Sequence, residues 1–191
     1  GDDCIAIKSG RNADGRRINV PSQNIVVANC NMKAGHGGVV MGSELSGGIH
    51  NVFVENCKMS SPDLWSSIRI KTNAMRGGSV SNINVRNIDI GTVRDMILIN
   101  FFYEEGDNGP FTPTVSGLQF ENMHCTNAQR ILNVRGFKHS RIKDISLKNI
   151  TIDFAAKASI VENVERIRFS NMRVDNTEVK QLSDLRLEAG V

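Results

Sequence analysis

The segment Ile25-Val26-Val27-Ala28-Asn29-Cys30-Asn31-Met32 is the first of six related segments in a chain of 191 residues. Each copy has an alternating apolar strand, then an asparagine, then two more alternating apolar positions. The six asparagines are Asn29, Asn56, Asn87, Asn122, Asn149 and Asn171. They are separated by 27, 31, 35, 27 and 22 residues, lengths typical of the coils of a solenoid with insertions at its loops.

The asparagine marks a change of phase in every copy. Apolar residues occupy the positions four and two before it and one and three after it, whereas strict alternation would place the second pair one residue later. A single residue in the left-handed region between two strands produces this shift, and asparagine tolerates that region. We therefore expect an all-β fold, a parallel β-helix with a column of hydrogen-bonded asparagines at one corner. Helical periodicity is weak, and only residues 180–191 suggest a helix.

Composition excludes several classes of protein. The net charge is +3, from 23 basic and 20 acidic residues, and aromatic residues are 5% of the chain. No dense basic run and no apolar run of roughly 18 residues is present. We expect no nucleic-acid partner and no membrane partner.

A second series of short strands lies between the six copies. Its members are Ile5–Ile7, Val39–Met41, Ile68–Ile70, Ile97–Ile99 and Leu132–Val134. If the first residue of each strand faces the core, the middle residues form one outward row. That row is Ala6, Val40, Arg69, Leu98 and Asn133, and the next outward row is Lys8, Gly42, Lys71, Asn100 and Arg135.

Polar residues gather along this second series. They are Asp2 and Asp3 before the first strand, His36 before the second, Arg69 and Lys71 within the third, and Tyr103 after the fourth. The steps from Asp3 to His36, to Arg69 and to Tyr103 are 33, 33 and 34 residues, about one coil each. Equivalent positions on neighbouring coils stack about 4.8 Å apart. Each residue alone is more often a turn residue or part of a solvated strand face, but four coils with polar groups on one wall predict a site.

The residue types in this cluster suit the hydrolysis of a glycosidic bond. One carboxylic acid protonates the leaving oxygen while a second, ionised carboxylate activates water. Close like charges raise one of the two pKa values and would divide these roles. By parity Asp2 faces outward, whereas Asp3 does so only if the chain bends before Cys4. Arg69 and Lys71 would suit the carboxylate of an anionic sugar.

Three motifs together carry a family resemblance. Gly1-Asp2-Asp3, Gly35-His36-Gly37 and Arg69-Ile70-Lys71 resemble, in this order and spacing, the motifs of glycoside hydrolase family 28, the polygalacturonase family. The similarity covers roughly residues 1–175. Segments 35–57 and 103–113 resemble bacterial members, many of them exo-acting, which slightly favours exo over endo cleavage.

The resemblance implies a fold and an activity. The family is a right-handed parallel β-helix that hydrolyses α-1,4 galacturonosyl bonds of polygalacturonate and pectin, with inversion and without a metal or other cofactor. By its resemblance we expect a secreted or periplasmic monomer, and residues 1–191 would be one β-helix domain.

The resemblance also implies roles for six residues. Asp2 matches the general acid, Asp3 a carboxylate that helps to activate water, and His36 a histidine that maintains the acid's protonation. Arg69 and Lys71 match residues that bind the galacturonate carboxylate, and Tyr103 matches an active-site tyrosine by spacing.

One family motif has no counterpart in the sequence. It is Asn-Thr-Asp, about one coil before the paired aspartates, and its aspartate is the second water-activating carboxylate. Because nothing precedes Gly1, we expect this chain to be a C-terminal part of a longer β-helix without its N-terminal coils. We then expect the longer protein to be active and this chain by itself to be inactive or severely impaired.

Other functions stay open. Rhamnogalacturonan or xylogalacturonan hydrolases use the same scaffold. A polysaccharide lyase would need a calcium site, for which no suitable acidic cluster is evident. A non-catalytic glycan-binding β-helix would keep the asparagine column but has no need for the polar cluster. Cys30 and Cys57 occupy the same inward position on successive coils, either as stacked thiols, the preferred interpretation, or as a disulfide.

Overall fold

The computed structural model of the chain describes residues 1–188, and its strands wind as a right-handed parallel β-helix, as the sequence predicted. The strands are β1 (Ile5–Ile7), β2 (Ser22–Ala28), β3 (Asn31–Met32), β4 (Val39–Gly42), β5 (Ile49–Met59), β6 (Ser66–Lys71), β7 (Ser79–Asn100), β8 (Thr114–Arg135), β9 (Ile142–Ile152), β10 (Ile160–Glu162), β11 (Val164–Val174) and β12 (Thr177–Val179). The helical elements of this part are α1 (Asn12–Ile18) and a 3-10 helix (Leu182–Asp184). Pairing between successive coils is parallel, and β12 closes antiparallel on β11.

The predicted second series of strands forms one wall, which we call the site wall. It consists of β1, β4, β6, residues 95–100 of β7, residues 130–135 of β8, and β10. Within it Ala6 pairs with Val40, Val40 with Arg69, Arg69 with Leu98, and Leu98 with Asn133. The predicted register is therefore confirmed. Val40 is nevertheless buried, because Gly37 packs against its side chain.

The predicted corner is also confirmed. All six asparagines have a left-handed backbone, with φ between 49° and 58°. Side-chain amides link them along the stack at 3.0–3.2 Å, from Asn56 to Asn87, Asn122, Asn149 and Asn171. A hydrogen-bonded column of this kind sets the register of the coils, because a one-residue slip would break every link.

A second left-handed column lies five residues before the first, and sequence analysis missed it. Its members are Asn24, Asn51, Asn82, Gly117, Asp144 and Arg166, with φ between 53° and 67°. Hydrogen bonds between side-chain amides, 3.0 and 2.8 Å long, join the three asparagines. In the last two coils an ion pair between Arg166 and Asp144 replaces these hydrogen bonds. Two guanidinium nitrogens of Arg166 lie 2.7 and 3.0 Å from the carboxylate oxygens of Asp144.

The core is one continuous stack of apolar side chains. Ile83, Leu118 and Ile145 lie one above the other, and each is at most 2% exposed. Burial of such a side chain contributes about 1.5–3 kcal/mol. Cys30 and Cys57 point into this core as free thiols, the interpretation preferred from the sequence.

The helices differ from expectation. Helix α1 was not predicted, because Asn12-Ala13-Asp14-Gly15 contains poor helix formers. Tertiary bonds hold its first residue: the amide of Asn12 donates to Ser46 Oγ at 2.9 Å. The helix expected at 180–191 is a single 3-10 turn, and residues 189–191 lie outside the described part. Among residues 1–188 no helix is long and apolar enough to span a membrane.

Candidate active site

The paired aspartates precede β1 and point in different directions. The chain bends at Cys4, whose amide donates to the carbonyl of Gly37 at 2.9 Å. The side chain of Asp2 is 81% exposed, whereas that of Asp3 is 6% exposed. The bend that the sequence required for Asp3 is therefore present, and it turns Asp3 towards the strands of the site wall.

His36 is held against Asp2 by two contacts. The amide of His36 donates to the backbone carbonyl of Asp2, and the ring nitrogen Nδ1 bonds to Asp2 Oδ1 at 2.5 Å. Gly35 makes this approach possible, since its φ is +146° and a Cβ there would lie 2.8 Å from the Asp2 carbonyl oxygen. The glycine before the histidine is thus a steric requirement of the site.

Asp3 forms a buried ion pair with Lys71. Lys71 Nζ lies 3.4 Å from Asp3 Oδ2, and the two side chains are 8% and 6% exposed. Asp3 Oδ1 and Arg69 Nε are buried and have no hydrogen-bond partner within residues 1–188. Buried groups without partners are costly and uncommon, and here both face the same cluster.

Arg69 and Tyr103 complete the cluster. An Arg69 guanidinium nitrogen donates to the carbonyl of His36 at 3.3 Å. The Tyr103 ring centre lies 5.3 Å from Lys71 Nζ and 6.0 Å from the Arg69 guanidinium carbon, within reach of a cation–π contact. Burial lowers the pKa of Arg69, and burial together with the nearby Glu104 charge raises the pKa of Tyr103. The structure thus brings together all six residues singled out in the sequence.

The pKa of Asp2 departs from the expectation that like charge would raise one carboxyl pKa of this pair. The hydrogen bond from His36 holds the pKa of Asp2 below its usual range. Desolvation opposes this effect on the pKa, but the hydrogen bond outweighs it. The lowered pKa favours the ionised form of Asp2 in the free protein.

The three residues at the centre also offer metal ligands. One donor atom each from Asp2, Asp3 and His36 lies within 4.8 Å of the others. Oxygen and imidazole donors of this kind fit a divalent cation. Lys71 already balances the charge of Asp3, however, so the cluster has a resident cation of its own.

Trp65 is a part of the site that sequence analysis missed. Its ring lies 4.2 Å from that of His36 between centroids, it is 44% exposed, and Arg94 sits 5.3 Å above it. The available signal was that the single tryptophan of the chain lies three residues before the third strand of the second series. A cavity of about 530 Å³ lies elsewhere, beside Lys138, and none of the six clustered residues lines it.

Comparison with known proteins places the chain in a family. The model of glycosyl hydrolases family 28 matches residues 1–179. The chain belongs to this family.

Relatives of this family-28 chain carry related names. It is 30% identical over 166 residues to a probable polygalacturonase of Vitis vinifera, a match covering 84% of the chain and 33% of the relative. It is 26% identical over 188 residues to an exo-poly-alpha-D-galacturonosidase of Dickeya chrysanthemi, covering 97% and 29%. The crystal structure of a hyperthermoactive exopolygalacturonase from Thermotoga maritima superposes with a TM-score of 0.86 at 31% identity, covering 93% of this chain and 40% of that one. The family-28 chain thus spans about a third of the length of these curated relatives.

Proposed function

We infer that this chain carries the catalytic site of a polygalacturonase, which hydrolyses α-1,4 galacturonosyl bonds of pectin. The observation that carries the inference is the cluster itself, in which successive coils contribute two carboxylates, a histidine and two cations to one open wall. Membership of family 28 and the names of the relatives support the same substrate.

Asp2 is the general acid in this proposal, positioned by His36. Asp2 is the exposed carboxyl, so a sugar bound on the wall would cover it. Desolvation raises a carboxyl pKa and would favour the protonated form of Asp2. Asp2 then donates its proton to the glycosidic oxygen, which leaves with the bonding electron pair.

Asp3 assists the attacking water. Its Oδ2 is paired with Lys71, while Oδ1 has no partner within residues 1–188 and is free to accept a hydrogen bond from water. Water adds to the anomeric carbon as the old bond breaks, and its proton passes to the Asp3 carboxylate. We propose that the configuration inverts, as the family resemblance implies. ¹H NMR of the first-formed anomer checks this point, because donor atoms within 4.8 Å are closer than the roughly 6.5–9.5 Å typical of carboxyls in inverting enzymes.

The two cations select an acidic sugar. The buried Nε of Arg69 has no hydrogen-bond partner within residues 1–188, and Lys71 Nζ lies 5.3 Å from the centre of the Tyr103 ring. A guanidinium fork and an ammonium group together bind a carboxylate, and the aromatic ring packs on the sugar. Neutral galactan offers these cations no carboxylate, which predicts a preference for galacturonate.

The remaining properties are also proposals. We propose exo cleavage, supported by the likeness to two exo-acting proteins. We propose that the enzyme acts outside the cytoplasm, because its substrate is a polymer that does not cross membranes. We also propose that it acts as a monomer, as the family resemblance implies. A product profile of monogalacturonate alone supports exo action, and a ladder of oligomers would reject it.

Binding of a galacturonate trisaccharide, measured by calorimetry, tests the proposal. Lys71→Met should weaken binding at least about 10-fold, since a hydrogen bond to a charged group contributes about 1.5–3 kcal/mol. The matched control is Lys58→Met, an exposed lysine on β5, which should leave binding unchanged. A trisaccharide of neutral galactose should bind weakly to every variant.

Turnover is followed on the same samples as reducing ends released from polygalacturonate. Asp2→Asn should leave trisaccharide binding within about 3-fold but slow hydrolysis about 10²–10⁴-fold, the usual contribution of a general acid. Equal binding of acidic and neutral trisaccharides, or binding unaffected by Lys71→Met, would reject the proposal. Preference for rhamnogalacturonan or xylogalacturonan would transfer it to those substrates.

A further inference from the structure

Arg76 is a buried arginine that the proposed reaction does not use. Its side chain is 1% exposed, and it is one of the largest fully buried side chains of the described residues. An arginine stays charged when buried, so it is retained only where partners compensate the lost hydration. The partners of Arg76 therefore indicate what it stabilises.

Those partners are two acidic residues that directly follow Tyr103. Arg76 Nη2 donates to Glu104 Oε2 at 2.8 Å. Arg76 Nη1 donates to Asn12 Oδ1 at 3.0 Å and lies 3.7 Å from Glu105 Oε1. The two carboxylates are 47% and 39% exposed, so their negative charge lies at the surface while its balance lies beneath.

The same segment also holds the backbone next to Tyr103. The Asn73 side chain donates to the Tyr103 carbonyl at 2.8 Å and to Glu105 Oε2 at 2.6 Å, and its own oxygen accepts the Arg76 amide at 2.9 Å. Glu104 has a left-handed backbone with φ 52°, a conformation that needs support. Asn73 and Arg76 thus clamp the turn that carries Tyr103, immediately after Lys71.

We propose that Arg76 is a positioning residue for the acidic sugar: it neutralises Glu104 and Glu105 and thereby keeps the Tyr103 side of the site able to accept a carboxylate. The proposal deepens the proposed function and rests on it for the identity of the sugar. Without the guanidinium, two uncompensated carboxylates would stand beside the sugar carboxylate and repel it. Tyr103 would also lose the anchor of its turn.

The single tyrosine of the chain supplies a direct readout. Tyr103 can be titrated by its tyrosinate absorbance without interference from any other tyrosine. The charges that act on its hydroxyl come from Glu104, Arg69 and Glu44. Arg76→Met should raise the pKa of Tyr103, because the Glu104 charge is no longer balanced. Arg76→Lys should restore most of the wild-type titration.

Binding of the galacturonate trisaccharide is measured on the same variants. Arg76→Met should weaken it about 10-fold or more, and the triple variant R76M/E104Q/E105Q should recover at least half of that loss on a logarithmic scale. A purely structural role predicts no recovery, since the triple variant lacks the same buried anchor. Circular dichroism shows whether each variant is folded.

The outcomes separate the two proposals. A folded Arg76→Met with unchanged tyrosine titration and unchanged binding overturns the role of Arg76, and so does a triple variant as weak as the single one. If Arg76→Met does not fold, E104Q/E105Q in the presence of Arg76 should lower the pKa of Tyr103, and an unchanged titration overturns the proposal. If the pKa of Tyr103 responds to these substitutions but the protein binds no galacturonate, the role of Arg76 at the Tyr103 turn is retained and the polygalacturonase function is rejected.

Discussion

Asn122 stands in the middle of the asparagine column and allows the column's contribution to be measured. Its amide donates to Asn87 at 3.2 Å and its oxygen accepts from Asn149 at 3.0 Å, and its φ is 54°. The side chain is exposed, so each hydrogen bond contributes towards the lower end of the usual range, about 0.5 kcal/mol. A non-glycine residue without a local side-chain bond costs about 1–2 kcal/mol in the left-handed region.

These values predict different losses for two substitutions. Asn122→Ala should lower the free energy of unfolding by about 2–3 kcal/mol, because this variant loses both hydrogen bonds and strains the backbone. Asn122→Gly should lower the free energy of unfolding by about 1.5–2 kcal/mol. This variant avoids the backbone strain, but the greater conformational freedom of glycine in the unfolded chain costs about 0.5–1 kcal/mol. The alanine variant should therefore be less stable than the glycine variant by about 0.5–1 kcal/mol.

Urea unfolding followed by far-ultraviolet circular dichroism measures both losses. The control is Asn31→Ala on β3, an exposed asparagine outside both columns, which should change the free energy of unfolding by less than about 0.5 kcal/mol. An alanine variant as stable as wild type, or more stable than the glycine variant, would refute the reasoning that column bonds and left-handed backbone stabilise the corner.

Three further predictions concern the site wall, the acid stability and the buried thiol. Gly42→Ala should weaken galacturonate binding about 10-fold or more, because φ is +96° at this position and a Cβ would overlap the carbonyl oxygen of Lys71. Calorimetry measures the binding, and unchanged binding would contradict the importance of this close approach. The Arg166 hydrogen bond lowers the pKa of Asp144, so its stabilisation is complete above the ordinary carboxyl pKa of about 3.9 and is lost as the pH falls through the lower folded value. Arg166→Met should consequently flatten the fall of the melting temperature below about pH 4, and an unaltered acid limb would speak against this pair. Burial raises the pKa of Cys125 to about 12, so iodoacetamide should label it only after unfolding, as read by mass spectrometry; labelling of the native protein would show that the core is open.

Sequence periodicity predicted the main features of the coil because they are local or strictly repeated. The phase change at Asn29 and its five counterparts is visible in any one copy. The 33- and 34-residue steps place Asp3, His36, Arg69 and Tyr103 on successive coils. The second column was within reach too, since Asn24, Asn51 and Asn82 each lie five residues before a corner asparagine. It was missed because glycine, aspartate and arginine fill the later coils.

The sequence by itself determined the stacked coils and the wall on which polar residues gather, because a repeated pattern of apolar burial has one low-energy register. Only the tertiary structure decided the protonation and the support of the site. The pKa of Asp2 depends on a hydrogen bond to a residue one coil away, and Arg76 meets its carboxylates 28 and 29 residues further along the chain. Such effects depend on distances of a few ångströms and on local burial, which residue spacing does not contain.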